Sequence, residues 1–207
     1  MRRNKIFLII FLVGCGIAMY SQGILNNGAT IKVNGNPTIY INNGNYIVQN
    51  KTVDDEVGGL VVFHAESGVE QKIKGDNIKI VFSELKLENE VKTLETKVVQ
   101  VDSKLGIDGA VLNLNKNKII INNGLTGAID VVNGGYIKSE TKDVDGLGEV
   151  QWNIGNNADE YVIPFGSGNS SMADLELKFK TKSVDNANGR VTFATYPTDV
   201  DNNDFPT

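Results

Sequence analysis

The chain is short of the residues that most often carry chemistry. Its 207 residues include one cysteine, one histidine and one tryptophan, and aromatic residues make up 7%. Cys15 lies in an amino-terminal apolar run, so cleavage after Ser21 would leave no thiol and no disulfide. An exported domain of this kind rests on its core and its backbone ladders, a habit of bacterial more than of small animal domains. One histidine without cysteine partners supplies neither a zinc site nor Ser-His-Asp chemistry. His64 therefore reads as a strand-end residue facing solvent. Beyond residue 22 the only arginine is Arg190, too little for a lyase site built on Ca²⁺, Arg and Lys. The net charge is −5 and the lysines are scattered, which argues against nucleic acid as a partner.

Residues 1–22 stand apart. Arg2, Arg3 and Lys5 precede an apolar run, Ile6–Met19, that is shorter than the roughly 20 residues of a membrane span. Small Ser21 follows, and the whole reads as a secretory signal peptide. Its removal takes three positive charges and brings the net charge from −5 to −8. Leu12-Val13-Gly14-Cys15 resembles a lipobox, but apolar Gly16–Met19 continues beyond the cysteine, against lipidation there. After cleavage no transmembrane span is expected.

What the chain has in quantity is glycine, 22 residues of it, and short β-branched runs stopped by Asn-Gly turns. Val111–Lys138 shows the rhythm best, with alternation at period two and turns that tolerate positive φ. Ile41-Asn42-Asn43-Gly44, Ile121-Asn122-Asn123-Gly124 and Val132-Asn133-Gly134-Gly135 repeat it without a fixed period. Expected strands are Thr30–Val33, Thr38–Ile41, Asn45–Val48, Leu60–Phe63, Gln71–Lys74 and Ile78–Phe82. Val111–Leu114, Lys118–Ile121, Ala128–Val132 and Tyr136–Ser139 continue the series. A β-solenoid and a meandering sandwich both fit. Short strands favour the solenoid for 23–142, with Asn side chains stacked in ladders along an edge.

Ser83–Leu105 is ambiguous. Leu87, Val91, Leu94, Val98, Val101 and Leu105 fall at helical spacing, while Leu85, Leu87, Val99 and Val101 also alternate as strands. The β flanks favour strands, since tertiary context overrides weak propensity. Past the polar joint Asp143–Gly148 come longer strands: Glu149–Ile154, Tyr161–Phe165, Leu175–Lys180 and Arg190–Tyr196. These suggest a small antiparallel sandwich-like module at 143–207. With four strands and no closing one, the sequence reads as a piece of a longer protein. The expected class is all-β, a short-stranded β-solenoid or β-helix followed by that module.

Tyr136–Thr141, Val150-Gln151-Trp152-Asn153-Ile154-Gly155 and Tyr161-Val162-Ile163-Pro164-Phe165-Gly166 together resemble a known pattern. It is that of the β-rich amino-terminal regions of large secreted and surface proteins of Bacteroidota, many of them type IX secretion substrates. The leader ending Tyr20-Ser21-Gln22 is similar to theirs. The resemblance implies β-helical rungs, a surface, adhesive or scaffold role, and no catalytic residues to carry over. Such proteins usually have a carboxy-terminal sorting domain, which this sequence does not contain.

Other candidates read as structural. Asp54, Asp55 and Glu56 could serve a glycosidase, but adjacent strand residues face opposite sides, so a solvated loop is expected. Asp143-x-Asp145-Gly146 and Asp199-x-Asp201-x-Asn203-Asp204 echo fragments of calcium loops and read as polar turns. Trp152 with Tyr40, Tyr46, Tyr136, Tyr161 and Tyr196 could stack on sugars, although Trp152 between Val150 and Ile154 suits a core. No catalytic, cofactor or metal residue is assigned. The expected role is a non-catalytic surface or adhesin-like structural protein, its partners surface polysaccharide or other cell-envelope proteins. A carbohydrate-active β-helix enzyme or binding module is the alternative. A groove lined by two carboxylates and aromatics would favour it.

Overall fold

A computed structural model describes residues 23–29, 36–140, 147–167, 173–182 and 188–195. The amino-terminal leader with Cys15, the expected strand Thr30–Val33, Tyr196 and both calcium-loop-like segments lie outside these. Among the described residues sixteen strands run in order. They are β1 (Ile24–Asn27), β2 (Thr38–Asn42), β3 (Tyr46–Gln49), β4 (Asp55–His64), β5 (Gln71–Gly75) and β6 (Lys79–Glu88). Next come β7 (Val91–Glu95), β8 (Val98–Asp108), β9 (Val111–Asn113), β10 (Lys118–Ile121), β11 (Ile129–Val132) and β12 (Tyr136–Lys138). The last four are β13 (Glu149–Asn153), β14 (Glu160–Phe165), β15 (Leu175–Lys180) and β16 (Arg190–Phe193). A 3-10 turn, Thr126–Ala128, precedes β11.

From β1 to β14 no strand pairs with its successor; successive strands alternate between two sheets, except that β10 and β11 both lie beside β8. One sheet runs β1-β3-β5-β7-β9-β12-β14-β15, the other β16-β13-β10-β8-β6-β4-β2, with β11 beside β8. Pairing is parallel until β15 joins β14 and β16 joins β13, both antiparallel. This is a β-helix of about five turns.

The second sheet is really two faces. β4 pairs with β6 in two blocks, Asp55–Val57 and Leu60–His64, with a register shift between them. The same shift separates Phe82 from Glu84 against β8. Farther along the two blocks become separate strands: β10 continues Val98–Val101, and β11 continues Leu105–Asp108. Each full turn therefore has a first face such as Lys79–Phe82, a second such as Glu84–Glu88, and a third such as β7. Gly58-Gly59 makes the first such bend. Gly59 has φ +77°, and a Cβ there would sit 2.3 Å from the Pro37 carbonyl oxygen.

The core follows from this stacking. Ile80, Val99, Ile119 and Val150 lie one above another on the first face, as do Val57, Phe82, Val101, Ile121 and Trp152. All are buried and belong to one apolar cluster with Leu85, Leu105, Leu87 and Ile107 of the second face. Such columns bury β-branched and aliphatic side chains against their own kind, worth about 1.5–3 kcal/mol for each fully buried residue.

Asparagine shapes the corners. Between second and third faces, the stacked positions after Asn42, Glu88, Asp108 and Val132 are Asn43, Asn89, Gly109 and Asn133, with φ of 55°, 52°, 60° and 51°. The left-handed conformation is cheapest for Gly and then Asn, which explains the recurrent Asn-Gly punctuation. The expected ladders are present: Asn122 Nδ2 donates to Asp102 Oδ1 at 3.0 Å, and Asn153 Nδ2 to Asn122 Oδ1 at 2.9 Å.

Ser83–Leu105 forms strands, as the β flanks suggested. Its helical spacing arises because alternation restarts at each corner, Asn89-Glu90 and Thr96-Lys97, so period two with resets mimics a period near 3.5. The sandwich-like module does not separate among the described residues. β13 stacks in parallel on β10, pairing Trp152 with Ile121, and β12 pairs Ile137 with Phe165 of β14. Both sheets thus run past residue 143, and only β15 and β16 reverse direction. The cause is core continuity: Val150 and Trp152 extend the Ile119 and Ile121 columns.

Candidate functional site

Chemistry-bearing side chains of the described residues fall into four places. On the second face, charges stack rung upon rung. His64 ends β4, half-buried, with Nδ1 3.1 Å from Glu88 Oε2. Lys86 Nζ lies 2.6 Å from Glu88 Oε1 and 3.3 Å from Asp108 Oδ2, and Asn133 donates to Asp108 at 2.6 Å. The Lys86 ammonium, helped by His64, holds the Glu88 carboxyl below its ordinary range. The Asn133 amide, with Lys86, does the same for Asp108. His64 is the strand-end residue expected, with an acidic partner that spacing in the sequence does not reveal.

Beside this network a shallow groove of about 200 Å³ is lined by Leu60, Glu84, Lys86, Lys104, Gly106 and Asp130. Gly106 leaves room for Lys86, whose Cγ would stand 3.3 Å from a Cβ at that position. Asp130 is tied to Lys104 at 2.7 Å. Two carboxylates are present, but no aromatic ring lines the groove.

A larger recess of about 520 Å³ opens at the corner between first and second faces, near the β16 edge. Asn122, Gly124, Asn153, Asn157, Gly189 and Arg190 contribute to it. Three of the amides are engaged in structure: Asn122 Nδ2 on Asp102, Asn153 Nδ2 on Asn122, and Asn157 Nδ2 on the Gly124 carbonyl at 2.7 Å. The recess offers amides and a guanidinium, and no carboxylate.

The aromatics turn inward. Trp152 is fully buried, donates from Nε1 to the Asn123 carbonyl at 2.9 Å, and meets the Tyr161 ring edge-on at 5.0 Å. Tyr161 stacks on Phe179 at 5.1 Å. Tyr46 and Tyr136 are buried too, and of the described tyrosines only Tyr40, 70% exposed, faces solvent. They build core, as expected of Trp152, and make no sugar-stacking platform.

The fourth place corrects an expectation. Asp55 is not in a solvated loop: it opens β4, 1% exposed, at the head of the Ile80–Val99–Ile119–Val150 column. Its neighbours obey strand alternation, Asp54 and Glu56 facing out and Asp54 pairing with Lys79 at 3.3 Å. Asp55 Oδ1 accepts from Asn26 Nδ2 at 3.0 Å and from the Lys51 ammonium; Oδ2 accepts the Tyr46 phenol. Burial, and then the carboxylate beside it, drive the Tyr46 hydroxyl far above its ordinary range, so it stays a donor. Period two run backward from Val57 places Asp55 on the core side, but Gly58-Gly59 interrupts the pattern. Lys92 and Gln71, partners in register, are also buried on the third face. Each side chain caps corner carbonyls: Lys92 those of Glu88 and Asn89, Gln71 those of Ile41 and Gly44.

No group of three or more His, Cys, Asp or Glu able to hold a metal occurs among the described residues. None of their helices is long and apolar enough to cross a membrane. The chain matches no protein-family model, and no curated protein or solved structure is similar to it.

Proposed function

We propose that the chain is a non-catalytic, exported surface protein of adhesin-like, structural role, or part of one. The observation that carries the reading is how the polar side chains are employed. His64, Lys86, Glu88 and Asp108 bind one another across rungs, Lys72 and Lys74 both reach Glu95 at 2.6 Å, and the corner amides form ladders. These contacts lock adjacent turns together; catalysis instead needs groups converging on a space where a substrate can sit. A stiff, laterally cross-tied rod suits a spacer or scaffold holding a contact surface away from a cell. The Bacteroidota-like leader and Tyr136–Gly166 motifs support export to that surface, with envelope polysaccharide or proteins as partners. The test is incubation of the purified chain with a panel of neutral and acidic polysaccharides, following reducing ends and unsaturated uronates. We expect no turnover; release of products by the wild-type chain would refute the proposal.

A carbohydrate-binding role draws support from the recess at Asn122, Asn153, Asn157 and Arg190. Amides both donate to and accept from hydroxyls, and a guanidinium pairs with a uronate carboxylate. Affinity electrophoresis should then show acidic polysaccharide retarding the wild-type chain and not Arg190→Ala. Equal mobility of the two would remove this reading.

A further inference from the structure

The knot at the amino-terminal rung goes beyond that role. Asn26 comes from β1, Lys51 from the corner after β3, and Asp55 from the start of β4. Asn26 is 2% and Asp55 1% exposed, and the Lys51 side chain is 6% exposed. The Lys51 amine and the Asn26 amide nitrogen rest on the same oxygen, Asp55 Oδ1. The amide oxygen, Asn26 Oδ1, is buried with no hydrogen-bond partner. Tyr46 holds the other carboxylate oxygen, and its ring lies edge-on to Phe82 at 5.7 Å, closing the apolar side.

A primary amine, a carboxamide and a carboxylate bridging them, out of water, are the components of an amide-exchange reaction. We propose that Lys51 and Asn26 form an intramolecular isopeptide bond, with Asp55 as the proton carrier. The Lys51 ammonium passes a proton to Asp55, and the neutral amine attacks Cγ of Asn26. The protonated Asp55 can polarise the vacant Oδ1 as the tetrahedral centre forms. A second amine proton moves through Asp55 to Nδ2, the Cγ–Nδ2 bond breaks, and ammonia leaves. The Nζ–Cγ bond remains, Asp55 ends as the neutral acid, and a buried ion pair becomes a neutral amide and carboxylic acid. Atoms and charge balance without oxidant or cofactor. Removing the ion pair also removes the desolvation penalty that burial imposes on it. The bond closes residues 26–51 into a ring and fastens the first strand to the body, in a protein whose signal-cleaved form has no cysteine with which to do so.

The test is peptide-level mass spectrometry of the denatured full chain. Expected is a branched peptide joining Asn26 to Lys51, lighter than its parts by one ammonia, with Lys51 resistant to trypsin. Because an amino-terminal glutamine also cyclises with loss of ammonia, the fragment ions and not the intact mass decide. Lys51→Arg and Asp55→Ala should lack the branch. The wild-type measurement stands alone if those variants fold poorly: linear peptides carrying free Lys51 and unmodified Asn26 would overturn the proposal. So would a Lys51–Asp55 link formed with loss of water.

Discussion

Lys92 offers the sharpest test of how this core treats charge. Its side chain is fully buried, with Nζ 2.9 Å from the Glu88 carbonyl and also on that of Asn89. Desolvation lowers its pKa from 10.5 to about 8, against the opposing pull of Glu90 and Glu88. A base with a lower pKa folded than unfolded makes the unfolded chain the better proton binder between those values. Stability must therefore rise with pH across that window and carry the full penalty below it. A drop from 10.5 to about 8 corresponds to about 3 kcal/mol, of which about 2 kcal/mol is recovered between pH 7 and pH 10. Lys86, with its pKa raised by Glu88, and Tyr46 lose stability over the alkaline range instead. The wild-type curve alone is thus uninformative. Lys92→Met keeps the length and removes the titration. Urea unfolding of both proteins, followed by circular dichroism from pH 7 to pH 10, gives the difference directly. Wild type should gain about 2 kcal/mol on the variant as pH rises, whatever the offset from the corner carbonyls that methionine leaves uncapped. A difference that stays flat, or moves the other way, refutes the account of Lys92 as a desolvated ammonium.

Further outcomes follow from the corners and the carboxy-terminal core. Trp152→Phe, which strands the Asn123 carbonyl and shrinks a filled column, should cost about 2–4 kcal/mol by urea midpoint. A loss below about 0.5 kcal/mol would mean the ring is not packed as described. Gly59→Ala should cost about 2 kcal/mol or more, because φ is positive and the Pro37 carbonyl blocks the methyl. Gly58→Ala next door meets nothing within 4 Å and should shift the melting temperature little; equal effects would contradict the bend.

Much of the winding was legible because many strands alternate, as Tyr46–Gln49, Lys118–Ile121 and Glu149–Asn153 do, and many corners advertise themselves with Asn or Gly. The strands expected at Thr38–Ile41, Gln71–Lys74, Val111–Leu114 and Lys118–Ile121 coincide to within a residue with β2, β5, β9 and β10. The three-faced turn was not legible, since Gly58-Gly59, Ser83 and Asp102-Ser103 bend long strands without stopping them. The continuity from β10 to β13 was hidden because register between turns leaves no local mark. Surface networks were equally invisible: His64 and Glu88 stand 24 residues apart and meet only through stacking. The Asp55 knot was missed for a different reason. Its partners come from β1, from β3 and from the corner after β3, and an inward carboxylate contradicts the expectation that charges face water.

The Asn-Gly corners also set a chemical clock. Asparagine followed by glycine is prone to spontaneous deamidation, and Asn133-Gly134 is such a pair, in a corner where Asn133 steadies Asp108 at 2.6 Å. Hydrolysis there replaces a donor with a second carboxylate, so attraction between turns becomes repulsion at the site where Lys86 already serves two acids. Ageing of the molecule would begin as a fault between two adjacent turns. Timed peptide mapping should find the first loosened amides on the strands flanking that corner, β8 and β11.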